Sequence, residues 1–262
     1  MRRVWTVLPE TTRTEIADRV GGTSVTPAAS GDHAEIAAAV AGSKGQVFVK
    51  AASSELGVRS LRYELLVSKA VDRSYSPAVE WHFERDGWLV VGFEHLDGLH
   101  ADLSPGSPDL DLLGLAVKEL GQTPAQGQTW FSPAARLGFA HPAMDGEMLV
   151  HTDLNPANLI VVRHGLRIVD WAYATKAAPW VELGLLVQWL IGSGHTPEQA
   201  EDWLARFPAW TATDPDVLNA FASMNATKWS VKSRTSKDAW VHDLAAWTDK
   251  WAAYRRVRYP QT

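Results

Sequence analysis

The sequence predicts an α+β chain in two parts, and three observations carry that prediction. From about residue 20 to residue 95, short apolar runs alternate with Gly, Ser and Asp, the pattern of brief strands. After Gly98 the apolar residues recur at helical spacing. Between the two patterns' later reaches, "VHTDLNPANLIVVRHGLRIVDWA" at 150–172 sets a polar loop between runs of branched apolar residues. The expected division is a smaller, mainly antiparallel sheet with one key helix over 1–96 and a larger helical part over 97–262.

The elements follow in order. "SVTPAAS", "AEIAAAVAG" and "GQVFVKAA" read as strands, and "LRYELLVSKAV" as the helix of the first part. "SSELG" ahead of it reads as loop. "WHFER-DG-WLVVGF" reads as a hairpin whose two-residue turn is Asp86-Gly87. In the second part "DLDLLGLAVKEL" at 109–120 and an apolar stretch from 181 read as helices. "HTPEQAEDW" supplies Thr196 as N-cap, Pro197 at the first helical position and Gln199 at the third. "MLV", "LIVV" and "LRIVD" are short strands, so His151, Asp153, Asn158 and Asp170 fall at strand edges or in loops, where side chains converge on sites.

Composition narrows the function classes. A chain of 262 residues with 46% hydrophobic content can bury one large core or two. Its longest apolar runs fall short of the roughly 20 residues a spanning helix needs, so no membrane association is expected. "MRRVWTVLPETTRTE" contains no apolar export segment, and the absence of Cys agrees with a reducing compartment; a cytoplasmic protein is the expectation. The net charge is −5, yet 225–262 carries eight Lys or Arg against three Asp. Nucleic-acid binding would favour a basic chain overall, so that class is set aside.

The loop at 150–172 has a specific chemistry. An Asp able to take a hydroxyl proton, with an Asn and a second Asp to hold a divalent cation, is the set that phosphoryl transfer requires. Magnesium suits an Asn and Asp oxygen pair because it keeps several waters and takes other ligands from phosphates. The spacing His151-x-Asp153-x-x-x-x-Asn158, followed by Asp170, resembles the catalytic loop and metal-binding Asp of the protein-kinase-like superfamily. "HTDLNPANLI" with "VDW" looks most like the aminoglycoside phosphotransferase and choline kinase family, whose pattern is H-G-D-x-x-P-x-N and then I-D-W. Thr152 stands here where that pattern has Gly.

That resemblance implies a two-lobed kinase-like fold, a nucleotide (ATP, with GTP as the alternative), Mg2+, and a small-molecule hydroxyl acceptor. It implies Asp153 as the base, Asn158 and Asp170 as metal ligands, and His151 as structural support. Lys50, on the strand "VFVKAA", would reach the phosphates and Glu64 would orient it, with Glu55 as the rival partner. No G-x-G-x-x-G is present; Ser30 and Gly31, with Asp32 and His33, would form the phosphate loop, Asp32 pointing outward or capping the turn. Phe93 would flank the base, met by the backbone carbonyl of Glu94 and the N–H of Leu96.

The acceptor is the least legible part. Trp240, Leu244, Trp247, Trp251 and Tyr254 form one helix face, read first as core packing. Trp180, Trp210 or Trp229 are candidates to line an acceptor pocket. Asp97, Asp102, Asp145, Glu147, Glu182, Asp214 and Asp216 are the acids available for a cationic acceptor, whereas the basic 225–262 segment favours a neutral or modestly charged hydroxyl compound. A protein kinase would need an activation segment, but only "WAYATKAAP" follows Asp170 before an apolar helix. A nucleotide-sensing pseudokinase is the other alternative. Oligomeric state and a resistance or metabolic role are not legible.

Overall fold

The computed structural model describes residues 3–28, 34–127 and 129–260. Its contacts divide the chain into two units. The first comprises the residues up to Leu99 together with Ile160–Ala172, and the second His100–Leu159 together with Tyr173 onward.

The first unit opens with helix α1 (Glu10–Val20), followed by β1 (Ser24–Pro27), β2 (Ile36–Gly42), β3 (Gly45–Ala52), α2 (Glu55–Val67), β4 (Val79–Arg85) and β5 (Trp88–Glu94). The strands form one antiparallel sheet in the order β1-β2-β3-β5-β4. The β4-β5 turn is Asp86-Gly87, both at positive φ (52° and 77°), the geometry whose twist matches a two-residue hairpin. Thr11 and Thr12 of α1 donate their hydroxyls to the Asp86 carboxylate, tying that turn to the helix.

Period-two alternation sorts the sheet into two faces. Val49, Ala51, Trp88 and Val90 pack with Leu8, Ile16 and Val20 beneath α1. Ala52, Leu89, Val91 and Phe93 pack with Leu61 beneath α2. β5 is therefore covered on both sides, which is why "WLVVGF" is a continuous apolar run. Lys50 shares the parity of Phe48 and Ala52 and so stands on the α2 face, in register with Val91.

Helix α2 starts at Glu55 rather than at Leu61, correcting the reading of "SSELG" as loop. Ser54 caps it, accepting the Gly57 N–H, and Glu55 opens the first turn, where an acidic residue complements the helix dipole. Helix α1 is absent from the sequence reading. The unit is completed by β6 (Gly98–His100), β8 (Leu159–Val162) and β9 (Gly165–Ile168), with β8 in the middle.

The second unit holds α3 (Asp109–Leu120), α4 (Pro133–Leu137), β7 (Met148–Val150), β10 (Thr175–Ala177), α5 (Trp180–Gly192), α6 (Pro197–Leu204), α7 (Pro208–Thr211), α8 (Pro215–Ser233) and α9 (Ala239–Arg258). β7 and β10 pair antiparallel and flank the 150–172 segment's ends. α5 is buried almost all round, and a Cβ at its Gly184 would lie 2.8 Å from the Phe221 ring of α8, so the glycine is what lets α8 approach. α6 carries the full capping box of Thr196 and Gln199. Among the described residues no helix is long and apolar enough to cross a membrane.

Candidate active site

In the first unit, the parity that turns Lys50 toward α2 brings its ammonium to two carboxylates. Lys50 Nζ lies 2.7 Å from Glu64 Oε1 and 3.1 Å from Asp170 Oδ1. Burial opposes the ammonium charge, but Asp170 and Glu64 outweigh it and hold Lys50 above the ordinary lysine range. Glu64 is buried on the inner face of α2, whereas Glu55 is exposed at the helix start. Asp170 follows β9 at φ 64°, a left-handed conformation that Asp tolerates better than most residues.

Phe93 is buried, and its ring centre is 5.7 Å from Lys50 Nζ. Glu94 ends β5; its carboxylate accepts the Ala78 N–H at 3.1 Å and pairs with Arg167 at 3.4 Å. Leu96 is half-buried beyond the strand. Ser30 and Gly31, with Asp32 and His33, lie outside the described residues.

In the second unit, the 151–158 loop is braced partly by its own polar groups. His151 is fully buried, and its Nδ1 accepts the Asp153 N–H at 3.2 Å. Asn155 Nδ2 donates to Asp153 Oδ1 at 3.1 Å, and Asn158 Nδ2 donates to Asp153 Oδ2 at 3.2 Å and to the Asp153 carbonyl at 2.9 Å. Each carboxylate oxygen of Asp153 thus has an amide donor, which fixes the plane of the carboxylate. Asn155 also accepts the Ala157 N–H, so the Asn-Pro step is both turn and brace.

Beneath the loop lies Glu182 of α5, 3% exposed. It accepts the N–H of His151 and, at 3.1 Å, that of Thr152. Burial raises its carboxyl to about 7, against the two backbone donors. Sequence reasoning placed Glu182 among acids for a cationic acceptor; it is instead an internal support of the loop. Asn155, and the bracing role of Glu182, are what sequence reading missed at this site. The Asn155-Pro156 dipeptide was the one local signal.

Three of the other acids have partners of their own. Asp102 bonds Ser104, Glu147 pairs with Lys176, and Asp214 caps α8 through the Asp216 N–H. Trp180 and Trp210 are core residues rather than pocket linings: Trp180 donates to the Ala143 carbonyl at 2.9 Å and Trp210 stacks on Trp251 at 6.3 Å. On α9, Leu244 and Trp251 are buried while Trp240 is exposed, so the aromatic stripe is core at one end only.

Among the described residues no group of three or more His, Cys, Asp or Glu could hold a metal alone. Magnesium takes one or two protein carboxylate or amide oxygens and completes its shell with water and phosphate, and Asn158 and Asp170 are donors of that kind.

Residues 90–215, nearly half of the chain, match the model of the phosphotransferase enzyme family. A thermostable mutant of aminoglycoside phosphotransferase APH(4)-Ia, solved in ternary complex with ADP and hygromycin B, superposes with a TM-score of 0.62 at 12% identity, over 96% of this chain and 100% of the other. Choline kinase LicA from Streptococcus pneumoniae gives 0.63 at 16% identity, covering 95% and 99%. A putative aminoglycoside phosphotransferase from Ralstonia eutropha gives 0.61 at 12%, covering 95% and 98%. A 59-residue stretch is 41% identical to serine/threonine-protein kinase AfsK of Streptomyces coelicolor, which is 22% of this chain but only 7% of that protein. The chain therefore has the kinase-like fold of the aminoglycoside phosphotransferases and choline kinase, and its central residues carry the sequence pattern of the phosphotransferase enzyme family.

Proposed function

We propose that the protein is an ATP-dependent phosphotransferase that moves the γ-phosphate to a hydroxyl of a small molecule. The observation that carries this reading is the Lys50–Glu64–Asp170 contact, with Nζ held at 2.7 and 3.1 Å. Phosphoryl transfer places little covalent demand on a protein and depends on positioning and charge neutralisation. A lysine kept charged while buried, and steered by a glutamate, is suited to meet phosphate oxygens.

Asp153 takes the acceptor's hydroxyl proton in this reading. Its two oxygens are held by Asn155 and Asn158, so the carboxylate presents a fixed edge to the incoming hydroxyl. Asn158 and Asp170 would hold the magnesium ion, which supplies charge neutralisation across the phosphates when bound. His151 and Glu182 keep the loop in shape from within. Phe93, with the backbone of Glu94 and Leu96, would receive the adenine, and Ser30 and Gly31 would cover the phosphates. The roles would divide with the units: the nucleotide on the first, which also holds Asp170, and the catalytic loop and acceptor on the second.

ADP in the APH(4)-Ia complex favours ATP over GTP as the donor. The test is thermal stability with and without Mg-ATP. At a hundredfold excess over the dissociation constant, binding adds about 2.7 kcal/mol of stability. A melting curve unchanged at millimolar Mg-ATP overturns the reading; a coupled ADP-release assay across antibiotics, sugars and amino alcohols then finds the acceptor.

A further inference from the structure

The face of α8 that begins in the core becomes cationic toward its end. Phe221 and Asn225 are buried, and Lys228 and Lys232 continue the same face at helical spacing. Lys228 Nζ lies 5.9 Å from the ring centre of Phe139 and 5.1 Å from that of Trp229. Lys232 Nζ lies 4.8 Å from Trp229 and 4.9 Å from Trp240, and those two indoles meet edge to face at 5.9 Å. Lys228 is near enough to Asp153 for the two charges to attract, while Lys232 repels it. Desolvation and Lys232 lower Lys228 to about 8. None of the ion pairs among the described residues uses either lysine.

We infer that the acceptor is a hydroxylated anion, bearing a carboxylate or phosphate that Lys228 and Lys232 receive while Asp153 faces the hydroxyl. This rests on the phosphotransferase reading above. Lys228 and Lys232 share the Trp229 ring and repel each other, and an anion arriving between them relieves that repulsion and repays part of the burial of Lys228. The ring faces that would clasp a quaternary ammonium are already covered by lysines, which removes choline-like acceptors. A polyamine would bring several positive charges against two more, the wrong sign for steering. Exposed Trp240, with half-buried Trp229 beside it, remains to stack on the apolar face of a sugar or similar ring.

The experiment reads Lys228 directly, without nucleotide. Its neutral amine is acetylated at pH 8 with limiting acetic anhydride, acetate leaving and the proton passing to buffer, and the yield at Lys228 is measured by mass spectrometry in the presence of D-gluconate, glycerol 3-phosphate, sorbitol, glycerol or choline at equal ionic strength. The expected result is at least threefold protection by gluconate or glycerol 3-phosphate, the two arms separating carboxylate from phosphate, and none by sorbitol, glycerol or choline. Protection by neither anion, or equal protection by choline, overturns the inference. Lys228→Gln should then raise KM for the protecting anion tenfold or more with kcat changed less, and Lys228→Arg should restore it; equal loss in KM and kcat assigns Lys228 a merely structural part. The Mg-ATP thermal shift of the unaltered protein separates the two levels: a shift with no anion protection overturns this inference alone, and no shift overturns both.

Discussion

Thr152 is held at φ 65° with its N–H on Glu182, 3.1 Å away, and its hydroxyl on the Tyr173 carbonyl at 2.8 Å. A β-branched residue in the left-handed region is strained by roughly 1–2 kcal/mol, and the hydrogen bonds offset part of that. The glycine usual at this point of the motif is thereby explained, and so is the tolerance of threonine. Thr152→Gly removes strain and a hydrogen bond together, so its stability should stay within about 1 kcal/mol of the parent. Thr152→Val keeps the strain and loses the bond, and should cost about 1–2 kcal/mol. Urea midpoints decide the matter; valine no worse than glycine would refute the strain.

Glu182 should make stability depend on pH. Burial raises its folded carboxyl to about 7 from the ordinary 4.5. A raised carboxyl contributes stability that is complete below pH 4.5 and is lost as pH climbs through about 7. The span amounts to roughly 3 kcal/mol at most. Glu182→Gln cannot titrate, so the urea midpoint should decline less between pH 5 and pH 8 than in the parent; identical slopes would contradict the assignment.

Asp170 and Asp153 should separate in calorimetry. Asp170→Ala removes a carboxylate placed against Lys50, and it should abolish measurable Mg-ATP binding. Asp153→Ala should leave the nucleotide dissociation constant within about threefold while reducing turnover by a hundredfold or more. Equal loss of affinity in both variants would remove the division of roles.

The basic end of the chain is not simply a solvated face. Arg255 is 2% exposed and donates to Glu201 at 2.6 Å, Asn219 at 2.9 Å and the Pro215 carbonyl at 3.2 Å. Trp251 Nε1 shares the same Glu201 oxygen at 2.8 Å. Arg255→Ala leaves a buried carboxylate without its cation and should cost about 3–5 kcal/mol. Arg255→Lys keeps the charge but cannot reach three acceptors, so it should recover less than half of that loss in thermal unfolding.

What could be read from sequence was whatever the local pattern encodes. Alternation put Lys50 on one face of its strand, Asp86-Gly87 specified the turn, and Thr196 with Gln199 specified a helix start. Helix α1 escaped because its buried residues are only Thr12, Ile16 and Val20, a single spoke in an otherwise polar segment, with one of the three a threonine tied to a distant turn. The start of α2 was obscured because a Ser-Ser-Glu cap looks the same as a polar loop until the following turn is in place. Glu182 escaped for another reason: it lies 31 residues from His151, inside an apolar run, and only the folded backbone shows what its carboxylate serves. The aromatic residues of α8 and α9 divide between core and surface along the length of each helix, which periodicity alone does not resolve.

The polypeptide passes between the two units at residues 99–100, 159–160 and 172–173. On the ribosome, Lys50 and Glu64 emerge early, but Asp170 and the β8-β9 hairpin of the same unit arrive only after the intervening 100–159 stretch has been made. With elongation at about 5–20 residues per second, the first unit waits roughly 4–15 s in an incomplete state. Neither unit can be expressed as one uninterrupted fragment. A nascent chain stalled before residue 159 should leave β6 without its partners β8 and β9, and Lys50 and Glu64 without Asp170, making this interval the natural point for chaperone engagement.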